Sequence, residues 1–131
     1  MMRVSRFAWC GLVVAALLSS AAVAQAQSGM SVNPALAQRG KSLFQNKGCT
    51  GCHSIGKGKL SGPDLLGVTD RRSADWLKLW LKDPTPMLSS DSIAMSLLAD
   101  AKGAKMPNLR LNDGDVDALM NYLAQETAKK H

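Results

Sequence analysis

Apolar residues recur along this chain at the three- and four-residue spacing of amphipathic helices, and no segment alternates like a strand. Asn33-Pro34 sets a capping side chain before a proline at the first helical position. Leu36, Gly40, Leu43 and Phe44 then share one face, so a first helix is expected to end near Gly48. Ser73 is expected to cap a second, with Trp76, Leu77, Trp80 and Leu81 facing inward and Asp83-Pro84 as its stop. A third is expected from about Ser90 to Lys102, with Ile93, Leu97 and Leu98 as its apolar face and Gly103 as its C-cap. The last helix has the clearest pattern. Asn112 can cap it, Asp113, Asp115 and Asp117 suit the positive end of its dipole, and Leu111 can staple onto Val116. Val116, Leu119, Met120 and Leu123 form its stripe, and Lys129 and Lys130 suit its far end. Gly56 to Gly67 and Pro84 to Ser89 are expected to be loops. The fold class is therefore all-α, with four to five short helices joined by Gly/Pro loops and no internal repeat.

The first stretch is expected to lie outside that fold. Arg3 and Arg6 precede an apolar run from Phe7 to Leu18, and Ala22-Val23-Ala24 and Ala24-Gln25-Ala26 both fit a cleavage pattern. Residues 1–26 are thus expected to be an export signal, 27–32 a flexible leader and 33–131 the folded domain. The alternative is a retained anchor, because Phe7 to Ala24 holds few polar residues and is just long enough to span a bilayer. Cys10 lies inside the apolar run instead of after it, which argues against lipid attachment. Cleavage after Ala26 would leave 105 residues, a modest core that benefits from covalent or cofactor support. The formal charge of +6 falls to +4 once Arg3 and Arg6 are removed. So modest a charge on an exported chain argues against nucleic acid as a partner.

Cys49-Thr50-Gly51-Cys52-His53 carries the chemistry. Thiols three residues apart fall on one face of a helical turn, within reach of the two vinyl groups on one porphyrin edge. Thioether bonds from Cys49 and Cys52 would fix one haem c covalently, and His53 follows as an axial nitrogen ligand to iron. Covalent attachment suits an exported protein, from which loosely held haem would be lost by dilution. Three other uses of the pair are weaker. A thioredoxin-like redox pair needs a βαβ setting. A zinc site needs four ligands, and beyond the signal the chain offers only two Cys, His53 and His131. A structural disulfide leaves His53 unexplained.

An iron that carries electrons without binding gas needs a second axial ligand. Met30 lies in the leader, and Met95 and Met120, at helical positions, are expected to fill the core. Met106 lies in Lys105-Met106-Pro107-Asn108-Leu109, an irregular link that Pro107 stiffens while removing a backbone donor. Met106 is the expected ligand. Met87, near Pro86, is its rival, and His131 at the C-terminus is a third candidate.

Taken together, Gly40 and Phe44, Cys49 to His53, Gly62-Pro63-Asp64-Leu65, Met106-Pro107, and Leu119 with Tyr122 resemble a class I c-type cytochrome of the small bacterial kind. The resemblance spans about Asn33 to Ala128 and implies the cytochrome c fold, wrapped around one haem. It implies that the first and last helices cross at right angles, Gly40 letting Tyr122 and Leu119 approach Phe44. It also implies that the Pro63 carbonyl accepts a hydrogen bond from the His53 ring nitrogen facing away from iron, which fixes the imidazole. The segment Trp76 to Pro84 is similar to small cytochromes that accompany, or are fused to, copper enzymes of nitrogen-oxide respiration.

His nitrogen with Met sulfur in both oxidation states means little rearrangement on electron uptake, and thioether ligation in an apolar pocket favours the ferrous state. Trp76 and Trp80 are expected to pack the core; the alternative is an indole N–H given to a haem propionate. With ferric haem and two propionates the charge is about +3. Lys47, Lys57 and Lys59 flank the haem-binding turn, and Lys102 and Lys105 flank the Met106 loop. By resemblance both segments border the exposed haem edge, where a basic rim would steer an acidic redox partner. The same lysines serve equally to keep a surface soluble. The expected function is that of a monomeric periplasmic one-electron carrier, not an enzyme. Its donor would be a quinol-oxidising complex and its acceptor an oxidase or periplasmic reductase. Two other functions stay open: an anchored electron-entry subunit of one respiratory complex, and a haem protein that meets a gas or peroxide at a labile sixth position.

Overall fold

The computed structural model describes residues 30–130; the expected signal, the first half of the leader (27–29), and His131 lie outside the described residues. The helices are α1 (Pro34–Asn46), α2 (Val68–Arg71), α3 (Ala74–Lys82), α4 (Met87–Ser90), α5 (Ser92–Asp100) and α6 (Asp113–Ala128), with a 3₁₀ turn at Cys49–Gly51. No strand occurs among the described residues. The fold is all-α.

Helix α1 begins as its sequence dictates: the Asn33 side chain accepts from the amides of Ala35 and Leu36, and Pro34 lacks the donor that would otherwise go unpaired. It buries Ala37, Gly40 and Phe44 and leaves Leu36 and Leu43 half-buried. Asn112 and Asp115 form a reciprocal capping box at the start of α6, and Arg39 of α1 reaches the Asp115 carboxylate at 2.7 Å. Leu111 and Val116 are both buried in the core, as a staple requires. Asn33 is tied to α6 as well, its amide donating to Asn121 Oδ1 at 2.7 Å.

The α1–α6 interface is the most extensive helix contact. Gly40 makes it possible, since a Cβ there would overlap the Ala118 carbonyl and approach Tyr122 Cβ to 2.8 Å. Phe44 and Tyr122 then pack with ring centroids 5.6 Å apart and planes tilted by 57°. Leu119, Met120 and Leu123 are buried beside them, each contributing roughly 1.5–3 kcal/mol of transfer free energy. Helix α3 lies against α6, where Lys78 and Lys82 meet Asp117 and Asp113, two pairs at matched four-residue spacing. These ions are exposed, so they orient α3 more than they stabilise it.

Several expectations are corrected. Two one-turn helices were not foreseen: α2, in the segment between the Gly67 turn and Ser73, and α4, inside the expected Pro84–Ser89 loop. Four residues carry no readable period, and such turns form only where tertiary packing supports them. The third expected helix is shorter, running Ser92–Asp100 with Asp91 as its N-cap. At its end the C-cap is Ala101, and the two residues after it, Lys102 (φ 52°) and Gly103 (φ 86°), are both left-handed. The Lys102 amide bonds to the Ala99 carbonyl and the Gly103 amide to that of Leu98, both at 2.9 Å. Met120 fills the core, but Met95 is 51% exposed, because α5 packs through Ala94 one residue earlier. Met30, assigned to the leader, packs against the core cluster.

Candidate functional site

The expected site residues converge on one cleft of about 230 Å³, whose lining includes Cys49, Cys52, His53, Pro63 and Met106. Its walls are apolar: Phe44, Leu77, Leu81 and Leu97 line it, with Leu119 and Leu123 of α6 at its floor. Met87 does not line it. Cys49 and Cys52 bracket the 3₁₀ turn, whose three-residue period sets their side chains on one face. The turn follows Gly48, whose φ of 77° lets the chain leave α1 sharply. Burial pushes the Cys49 thiol above its ordinary pKa.

His53 is oriented from behind. Its Nδ1 lies 2.9 Å from the Pro63 carbonyl, so the ring donates there and the other nitrogen is left as the lone-pair donor. Gly62 supplies the room: a Cβ on it would come 2.5 Å from His53 Cε1 and 2.8 Å from Nδ1. Asp64 anchors the loop beyond. Its carboxylate accepts from the amides of Gly56, Leu66 and Gly58 and from the Ser54 hydroxyl. The Gly56 amide, foremost among these donors, holds the carboxyl well below the usual carboxylate range. Arg71 clasps the same loop through the carbonyls of Asp64 and Leu66.

Met106 faces the cleft from the link between α5 and α6, and its sulfur accepts the Trp80 indole N–H at 3.0 Å. Trp80 stacks on Trp76, centroids 5.3 Å apart and planes 12° from parallel. Trp76 Nε1 is buried and completes no hydrogen bond of good geometry. The Asp91 carboxylate, kept low first by the Ala94 amide it caps, lies towards that indole without closing a bond.

These features fit a haem. Two thiols, an imidazole with a committed tautomer and a thioether sulfur border one apolar slot, and Trp76 leaves an unmet donor beside it. Arg71, Arg72, Lys47 and Lys105 line the same cleft, the charge a pair of propionates calls for. Lys57, Lys59 and Lys102 do not line it, and Lys59 donates to the Asp100 carbonyl instead. The expected basic rim is therefore narrower in lysine and richer in arginine than the sequence implied.

The pattern of the family described as cytochrome c matches residues 37–127. This chain belongs to the cytochrome c family. It is a class I c-type cytochrome, and the cofactor of that family is covalently attached haem c. The cytochrome is 32% identical over 91 residues to the C-subunit of nitric oxide reductase from Stutzerimonas stutzeri, covering 65% of this chain and 54% of that protein. It is 39% identical over 59 residues to cytochrome c-551 of the same organism, covering 41% of this chain and 56% of the relative. The matched region thus spans little more than half the length of either relative. Cytochrome c from Rhodothermus marinus has the same fold, with a TM-score of 0.70 at 29% identity over 76% of this chain and 83% of that one.

Gly62, Asp64, Arg71 and Trp80 complete the site; from sequence the first three had no role in it, and Trp80 only the alternative of an indole N–H given to a haem propionate. Gly62 and Asp64 stand in the motif around Pro63, so their place was visible and only their contacts were not. Trp80 and Met106 are 26 residues apart, and no spacing rule joins them.

Proposed function

We propose that this cytochrome is an exported one-electron carrier, with Cys49 and Cys52 as thioether anchors and His53 and Met106 as axial ligands. The haem supplies the redox couple; the chain's part is to hold its ligands still and keep water out. His53 gives its Nδ1 proton to Pro63, so its remaining nitrogen keeps one direction through both oxidation states. The Met106 sulfur accepts the Trp80 indole N–H. Ligands that hardly move cost little reorganisation, and the apolar walls favour the less charged ferrous state. The observation that carries this reading is the convergence of both thiols, His53 and Met106 on one cleft, from which Met87 is absent.

The likeness to the C-subunit of nitric oxide reductase supports a second reading, a fixed electron-entry subunit of a respiratory complex. No described helix is long and apolar enough to cross a membrane. Residues 1–26 would be a cleaved signal in the first reading and a retained anchor in the second. The protein partners would be a quinol-oxidising donor and an oxidase or periplasmic reductase as acceptor in the first, and the other subunits of one complex in the second. A monomer in the periplasm fits the carrier.

Intact mass of the exported protein separates the two readings: one added haem with loss of 1–26 supports the carrier, and a retained N-terminus supports the fixed subunit. Ligation is tested by the absorption spectrum of Met106→Ala. Loss of the sulfur–iron band with haem still attached is expected; its survival would move the role to Met87. Rapid binding of carbon monoxide by the unaltered ferrous protein at neutral pH would turn the reading towards a gas-binding haem protein.

A further inference from the structure

We propose that Lys59 is a positioning residue that latches the two walls of the cleft together, so that Met106 stays closed on the haem and outside ligands are kept from the iron. The inference rests on the reading of Met106 as an iron ligand.

The wall that carries Met106 is loosely tied to the rest of the fold. Helix α5 has α4 as its main helix partner, not the α1–α6 pair. Leu97, Leu98, Ala101 and Met106 line the cleft from this side. The link after α5 is irregular, and the Ala104 amide within it turns back to the Ala101 carbonyl at 3.0 Å.

The wall that carries His53 is tied down. Asp64 accepts the amides of Gly56 and Gly58, the Leu60 amide donates to the Gly62 carbonyl at 3.1 Å, and the Gly62 amide donates to the Cys52 carbonyl at 2.8 Å. Lys59 stands between two of these anchored residues, Gly58 and Leu60. Its Nζ crosses the gap and donates to the Asp100 carbonyl at 2.8 Å. Among the described residues, this is the one hydrogen bond that joins segment 54–66 to segment 100–112.

The acceptor is one that wants a partner. Asp100 ends α5, and the Ala104 amide that would reach its carbonyl in a continuing helix bonds to Ala101 instead. An ammonium is well placed there, at the negative end of the helix dipole. The chain leaves α5 at this carbonyl and runs directly to Met106, so a bond from the tied wall places the start of the ligand-bearing link. An iron whose sixth position opens reacts with small molecules; one whose position stays closed carries electrons. Lys59 favours the closed form.

The test titrates imidazole, an outside nitrogen ligand, into the ferric haem-loaded protein and follows loss of the sulfur–iron band. Lys59→Ala is expected to tighten imidazole binding about two- to fivefold, the lower part of the range of one net hydrogen bond, because water competes at an exposed site. Lys59→Arg keeps a cationic donor and is expected to bind imidazole as the unaltered protein does. Lys57→Ala removes the same charge from the same loop and is expected to change nothing. In a Met106→Ala background, read by the Soret shift, Lys59→Ala is expected to have no effect, because the ligand that the latch holds is gone. Unchanged affinity in Lys59→Ala, equal tightening in Lys57→Ala, or equal tightening in the Met106→Ala background would overturn the proposal. Survival of the sulfur–iron band in Met106→Ala would instead defeat the ligand assignment beneath it.

Discussion

Gly40 and Ala118 touch backbone to backbone, with Tyr122 closing over the contact, and this approach sets how near α1 and α6 can come. In an isolated helix an alanine at position 40 would stabilise by about 1 kcal/mol. Here its methyl would overlap the Ala118 carbonyl, and backbone cannot swing aside as a flexible side chain can. Gly40→Ala is expected to destabilise the protein by about 1–3 kcal/mol net, by thermal or denaturant unfolding. Unchanged stability would mean that α1 and α6 are less tightly apposed.

Gly62→Ala acts on the site instead. Its Cβ would press on the His53 ring and disturb the bond to Pro63 without touching the α1–α6 core. The expected outcome is a folded protein with covalent haem, a shifted midpoint potential and an altered Soret region. Unaltered spectra with lost stability would contradict this.

Asp64 predicts an acid limb to the stability curve. Its carboxyl is depressed in the folded state, first by the Gly56 amide, while in the unfolded chain it titrates near 3.9. Its contribution is therefore complete above about pH 5 and lost as pH falls through 4 towards the depressed folded value. Asp64→Asn, with one acceptor oxygen in place of two, should be less stable at neutral pH and show a shallower decline between about pH 4 and 2. Parallel curves for the two proteins would refute the assignment.

Charge at the cleft predicts kinetics. Lys47, Lys105, Arg71 and Arg72 line it, so electron exchange with an acidic partner should slow as ionic strength rises. Lys105→Glu, on an exposed side chain, should slow exchange several-fold at low salt and little at high salt. A flat salt profile in stopped-flow measurements would remove steering from the account.

Much of this protein was legible in one dimension because its signals are local. The Asn33 and Asn112 caps, the stripe from Val116 to Leu123 and the spacing of Cys49, Cys52 and His53 each depend on neighbours within a turn or two. Resemblance added Pro63 behind His53, whose Nδ1 lies 2.9 Å from the Pro63 carbonyl. The one-turn helices were invisible for the same reason in reverse, being too short to show a period. Met95 was misplaced because α5 turns a small residue, Ala94, to the core and leaves its larger neighbour outside.

What the chain order left undecided was which distant groups would meet. Trp80 on the Met106 sulfur, Arg71 on the Asp64 loop and Gly62 under the imidazole arise from the packing of separate segments. Hydrophobic spacing says that a residue faces inward, not what it faces. That second fact belongs to the approach of α1, α3 and α6, where a few tenths of an ångström decide whether a donor finds its acceptor.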